Sequence, residues 1–212
     1  RTARPLCAAL DTLFGTGRWA RPRWWGRPLV TFPRDGPWEL PAGAWHFDFM
    51  PAAAGHRPVQ FFAFLNQVRP RGGGTLVLTG SHRLVAPYLG RSEVFRMPRV
   101  RASLAAHPWL RGLWEPGGGD RIQRYMNDGT VVDGVPLRVT ELTGEPGDVI
   151  LMHCDCFHAA APNRLAEPRM MRTTSSRLVT AMTRPSRMWA RSRALASSNF
   201  DRRVITSSRN FT

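Results

Sequence analysis

Residues 147–169 read GDVILMHCDCFHAAAPNRLAEPR, and their parsing decides the fold. Gly147 closes a turn, Gly144-Glu145-Pro146-Gly147, and residues 149–152 then form an unbroken apolar run of strand length. Pro162 and Pro168 bracket a polar connection, after which residues 170–180 again have strand composition. Strand, loop and returning strand is the pattern of an antiparallel sheet, not of a strand feeding a crossover helix.

Outward from this stretch the same rhythm continues. Residues 137–142 form a strand just before the turn, and residues 59–68 (VQFFAFLNQV) and 75–78 (TLVL) are rich in β-branched and aromatic side chains. The Pro-Arg-Gly-Gly-Gly between them predicts a tight turn and two adjacent antiparallel strands. Residues 45–50 (WHFDFM) alternate, with Trp45, Phe47 and Phe49 on one face and His46 and Asp48 on the other. Helix is expected at residues 5–14, where Leu6, Leu10 and Leu13 share a face, and in an insertion at 87–114, over 92–96 and 102–113, that ends in a loop at 116–120. Residues 18–41, dense in Trp, Pro, Gly and Arg, predict an irregular layer because proline both breaks the helical period and removes donors. Many short strands with one helical insertion make the chain mainly β with flanking α, an antiparallel sandwich or barrel. One domain over residues 1–183 is expected, with the Arg- and Ser-rich residues 184–212 as a peripheral or poorly ordered tail.

With 212 residues, 42% of them hydrophobic, the chain can bury a substantial core. No apolar run reaches membrane-spanning length, and residues 1–10 lack the pattern of a signal peptide. A cytoplasmic protein with no membrane partner is therefore expected, although the chain starts at Arg1 and an upstream piece can be missing. The formal net charge of +15 raises a basic nucleic-acid-binding protein as an alternative. Against it, the chain has no lysine and its arginines are spread from Arg1 to Arg209, a diffuse field that argues against a specific nucleic-acid partner. Cys7, Cys154 and Cys156 make an odd set whose C-x-C pair is poorly spaced for a disulfide, which fits a reducing compartment. Nothing in the sequence sets the oligomeric state.

The chemistry starts from His46-x-Asp48. A two-residue spacing on a strand throws both side chains to one face, where an imidazole nitrogen and a carboxylate oxygen can meet one ion. His158, at the end of an apolar strand, is the best third ligand. Two histidines and one carboxylate leave positions open on Fe(II) for other molecules, and zinc accepts the same set in hydrolases. The plain alternative is a surface ion pair on an edge strand. His153 lies five residues before His158, so it is expected on the opposite face as a packed, hydrogen-bonded histidine, whereas His56 and His107 carry no signal.

Gly147-Asp148, the apolar strand, His158, Pro162-Asn163 and Arg169 together resemble the distal motif of the phytanoyl-CoA dioxygenase family, in which an Arg follows the second metal His by about eleven residues, as Arg169 follows His158. Residues 73–82 (GGTLVLTGSH) resemble that family's Gly-x-Leu strand and Gly-Ser-His turn, in which His82 would be structural. The blocks occur in family order and span residues 45–169.

The resemblance implies a double-stranded β-helix, or jelly roll, and an Fe(II)- and 2-oxoglutarate-dependent dioxygenase that uses O2 on a small organic substrate, releasing succinate and CO2. It implies iron on His46, Asp48 and His158, with Arg169 taking the far carboxylate of 2-oxoglutarate as a bidentate pair that lysine cannot match. Arg164 and Arg172 compete for that role. Relatives that halogenate replace the carboxylate ligand with a small residue, so Asp48 favours hydroxylation. Many relatives carry a hydroxyl residue two after the distal His, where this chain has Ala160, and Thr75 is a possible substitute. A non-catalytic β-sandwich of the same fold stays the rival reading. The substrate pocket is expected between residues 87–120 and the Trp-rich segment before His46.

Overall fold

The computed structural model describes residues 4–21, 26–48, 58–89, 97–116 and 119–176. The tail at 184–212, the helix expected at 92–96, and His56 lie outside the described residues. Among the described residues eight strands form two four-stranded sheets. The first has the order β1 (Arg27–Thr31), β8 (Arg169–Ser176), β2 (Val59–Phe64), β6 (Val149–His153), and the second β4 (Thr130–Val132), β5 (Val135–Glu141), β3 (Thr75–Thr79), β7 (His158–Ala160). All strand pairs are antiparallel, and the chain crosses repeatedly between the sheets, which is a jelly roll.

Strand periodicity explains the layers. Val59 and Phe61 of β2 face outward under helix α1 (Arg4–Phe14), whose Leu6 and Leu10 complete that cluster. Phe62 and Phe64 of the same strand face inward and meet Val77, Met152, Cys156 and Met171 between the sheets. On β3, Leu76 and Leu78 point the other way, into the largest cluster, beneath helices α2 (Ser81–Leu89), α3 (Met97–Leu104) and α4 (Pro108–Trp114). Each fully buried Phe or Leu contributes about 1.5–3 kcal/mol, so burial on both faces of β2 and β3 holds the four layers, α1, two sheets and the helices α2–α4, together. Among the described residues no helix is long and apolar enough to cross a membrane.

Several expectations are corrected. β2 and β3 are not neighbours: β2 pairs with β6 and β8, and β3 with β5 and β7. The connection at 65–74 is no tight turn, because Val68 bridges Gly144 and Gly72 bridges Asn163, carrying the chain from one sheet to the other. The segment read as irregular contains β1, an edge strand that can accommodate Pro28, which has no N–H to donate. The unforeseen β4 forms a hairpin with β5, the strand expected at 137–142, through Asp133-Gly134, both with positive φ (49° and 74°), the conformation such a two-residue turn requires. Helix α2 begins directly after β3, and the single helix expected over 102–113 is split at Pro108, the first residue of α4, with His107 as its cap. A π-helical turn, Gln123–Asp128, was also not anticipated. Residues 45–48 form no regular strand; His46 makes an isolated antiparallel bridge to His158.

Candidate metal centre

His158 is held on both sides. Its backbone pairs with Val77 of β3, and it exchanges two hydrogen bonds with His46, at 2.7 and 3.0 Å. That bridge lays residues 45–48 along the free edge of β7. The alternation read from WHFDFM persists without the strand: Trp45 and Phe47 are buried, while His46 is exposed and Asp48 half-buried. Phe47 packs edge-on against Phe157, which also meets Trp114. The indole of Trp45 donates to the Pro41 carbonyl at 3.0 Å, and that of Trp114 donates to the Trp45 carbonyl at 3.1 Å. Two tryptophans thus peg a segment that has little ladder of its own.

On the opposite face His46, Asp48 and His158 converge, with one ligand atom from each lying within 4.8 Å of the others. His158 Nε2 is 3.9 Å from Asp48 Oδ2, and the imidazole centroids are 4.4 Å apart. His46 Nδ1 lies 3.0 Å from the Ala44 carbonyl, and His158 Nδ1 lies 3.0 Å from that of Cys156. A carbonyl only accepts, so both Nδ1 atoms carry the hydrogen and both Nε2 lone pairs are left for an ion. Burial lowers the pKa of His158 and the neighbouring His46 acts the same way, against the carbonyl of Cys156 and the charge of Asp48. Two imidazoles, each oriented by a backbone carbonyl, and a carboxylate fit a divalent transition metal.

Arg169 opens β8 and is only 4% exposed. Its Nε donates to the Gly73 carbonyl at 2.8 Å, one terminal nitrogen to Thr31 Oγ1 at 2.5 Å, and the other makes longer contacts with the Leu29 carbonyl and Met171 sulfur. Burial pulls its pKa down to about 10, with only the field of Glu141 opposing. The Glu141 carboxylate is itself engaged, accepting from the backbone N–H groups of Gly74 and Arg71. No carboxylate among the described residues forms an ion pair with Arg169. A buried guanidinium held by neutral acceptors is a site for an anion.

The competing arginines have other work. Arg164 donates to the carbonyls of Pro37, Arg34 and Asp35, tying down the N-terminal layer, and Arg172 donates to the Gly26 carbonyl. Sequence reading missed what holds Arg169. Fully buried Asn163 donates to the carbonyls of Thr31 and Glu167 and accepts from Leu165 N–H, so the Pro-Asn turn locks β1 beside β8. Gly73, at φ +80°, passes so close that a Cβ would stand 2.8 Å from that of Asn163. The triple glycine was the available signal. Ser81 accepts from Phe157 N–H and donates to the Leu78 carbonyl, so the Gly-Ser-His turn positions the strand of His158.

His82 lies against Cys156 and His153, outside the cluster with His46. Ala160 pairs with Thr75 and borders a cleft of about 670 Å³ lined by Thr31, Phe32, Leu40, Arg121 and Arg164. The helices of the insertion pack behind the second sheet, against Leu76, Leu78 and Leu137, instead of covering this cleft. Pro116 and Arg121 are what the region after α4 contributes to it.

A family model described as Phytanoyl-CoA dioxygenase (PhyH) matches residues 5–171. No curated protein sequence matches the chain. Solved structures similar to it include EvdMO1 (13% identity, TM-score 0.45, 83% of this chain and 31% of that one). Another is SnoN, a non-haem α-ketoglutarate-dependent epimerase from nogalamycin biosynthesis (21% identity, TM-score 0.41, 74% and 49%). A third is a non-haem monooxygenase, the ThoJ–Ni complex (12% identity, TM-score 0.46, 92% and 68%). The chain spans 31% and 49% of the lengths of EvdMO1 and SnoN.

Proposed function

The chain belongs to the phytanoyl-CoA dioxygenase family, and we propose on that premise that it is a non-haem Fe(II)/2-oxoglutarate oxygenase that hydroxylates a small organic molecule. The observation that carries the reading is Arg169, a buried cation with no carboxylate partner among the described residues, in a fold that also gathers two histidines and one aspartate into one cluster. A zinc hydrolase would use the same three donors but would leave Arg169 without a role.

In this reading His46 Nε2, Asp48 and His158 Nε2 hold iron, and the terminal nitrogens of Arg169 take the distal carboxylate of 2-oxoglutarate. Bound there, Fe(II) with 2-oxoglutarate and O2 supplies an oxidation of the substrate coupled to release of CO2 and succinate. The remaining work is the protein's. The Ala44 and Cys156 carbonyls keep both imidazoles in the tautomer that ligates, and Trp45 and Phe47 hold the exposed His46 and Asp48 in register with His158. Thr31 and Gly73 aim the guanidinium, whose fixed charge needs no proton transfer to bind a carboxylate. The cleft beside Ala160 is of a size that suits a small organic molecule. With Asp48 in the carboxylate position, hydroxylation is favoured over halogenation.

The test is aerobic conversion of 2-oxoglutarate to succinate with added Fe(II), expected for the chain and lost in both His46→Ala and Arg169→Ala. Turnover that survives Arg169→Ala would remove the basis of the proposal. Chlorinated product from a labelled substrate in chloride would argue against hydroxylation. The alternative of a nucleic-acid-binding protein draws no support from the arginines at the site, since Arg121, Arg164, Arg169 and Arg172 all donate to backbone carbonyls.

A further inference from the structure

We propose that the turn joining β6 to β7 holds a second divalent metal, of the class of Zn2+ or Co2+, on His153, Cys154 and Asp155. These three offer an imidazole nitrogen, a thiolate sulfur and a carboxylate oxygen, all within 4.8 Å of one another, and they form a set separate from His46, Asp48 and His158. The proposal does not rest on the oxygenase reading.

The spacings come close to those of an ion's coordination shell, one to each oxygen of the Asp155 carboxylate. Around a tetrahedral ion with bonds of about 2.0 Å to nitrogen or oxygen and about 2.3 Å to sulfur, donor atoms stand about 3.3–3.6 Å apart. Cys154 Sγ lies 3.5 Å from Asp155 Oδ1, and His153 Nδ1 lies 3.7 Å from Asp155 Oδ2. Burial supports the same reading. Cys154 is fully buried and Asp155 is 1% exposed, whereas the His153 side chain is 21% exposed, which gives an ion a way in and a water a place as fourth ligand. A thiolate in the set selects against Mg2+ and Ca2+, which take oxygen donors, and in favour of zinc-like ions.

The plain reading is that Asp155 only shapes the turn. Its backbone N–H donates to His153 Nδ1 at 3.2 Å, which keeps the imidazole lone pair pointing into the turn. An ion would take over that lone pair and displace the thiol hydrogen that Cys154 donates to Asp155 Oδ1, replacing both hydrogen bonds. The His82 ring packs 4.9 Å from that of His153 and steadies it from outside the set. The same turn supplies the Cys156 carbonyl that fixes the His158 tautomer, so an ion here would stiffen the support of the first centre.

The experiment uses the full chain carrying His46→Ala and Asp48→Ala, so that the first centre cannot bind, and titrates it anaerobically with Co(II) alone. The expected result is a single equivalent bound with a near-ultraviolet thiolate-to-cobalt band, displaced by Zn2+. The band should vanish in Cys154→Ser and persist in Cys156→Ser. His153→Gln, at a partly exposed position that leaves the buried pair intact, should weaken Co(II) at least tenfold. Absence of a thiolate band, its survival in Cys154→Ser, its loss in Cys156→Ser, or unchanged affinity in His153→Gln would each overturn the assignment.

Discussion

The two halves of the candidate centre are mounted in opposite ways. His158 sits in a strand paired with β3 on one side and bridged to His46 on the other, and it is buried, as is Arg169 at the start of β8. His46 and Asp48 lie on a segment held by one bridge and two tryptophan pegs, facing solvent. The difference teaches a division of labour. The buried half is over-determined by sheet pairing and would fix where iron and 2-oxoglutarate go, whereas the exposed half would complete the proposed ligand set from the solvent side. If so, damage to the buried half should cost both fold and chemistry, and damage to the pegs chiefly chemistry.

The largest effect should come from His158→Ala, with Fe(II) binding by equilibrium dialysis and succinate formation falling well beyond the 10–100-fold that loss of an outer-shell partner costs. Next is Asn163→Ala, which removes three buried hydrogen bonds beside Arg169. Urea unfolding should show a loss of about 3 kcal/mol, accompanied by weaker 2-oxoglutarate binding. A wild-type stability there would break the comparison. Trp114→Phe keeps an aromatic ring but deletes the bond to the Trp45 carbonyl and part of a buried indole, so stability should fall by about 1–2 kcal/mol while Fe(II) affinity falls towards 100-fold, about 2.8 kcal/mol. Equal losses in both would show the peg to be ordinary core.

The smallest effect concerns pH. Because burial holds the His158 pKa below its ordinary 6.5, the unfolded chain takes up a proton in weak acid that the metal-free folded chain does not. That contribution to stability is present above pH 6.5 and is lost as pH falls through the lowered folded value. Thermal melts of the metal-free chain should therefore fall with acid in this window, and His158→Gln should flatten the dependence.

How much of this was legible in the sequence depended on range. The strands β6 and β8 and the convergence of His46, Asp48 and His158 followed from local features: an apolar run, a Gly turn, and side chains that alternate whether or not the backbone is a full strand. The pairing of β2 with β8 was not local. Both faces of β2 are apolar, so its pattern demanded cover on two sides without saying which strands supplied it. β1 escaped because an edge strand with Pro28 has neither alternation nor a complete set of donors. The β4–β5 hairpin, by contrast, was readable from Asp133-Gly134 between valines and was overlooked. Arg169 was singled out from its place after His158, but what holds it in the interior, the hydroxyl of Thr31 and the carbonyl of Gly73, is remote in sequence and meets it only when the sheet closes.

That closure gives β1 a kinetic meaning. It contacts the first sheet through β8 alone, and the residues it pairs are about as far apart along the chain as this fold allows. Contacts so distant carry a large loop-closure entropy, so β1 should be among the last elements to dock during folding and among the first to lift away in native-state fluctuations. Since Thr31 travels with it, each such opening loosens the cradle of Arg169, and an anion held there would come and go with the breathing of this edge strand.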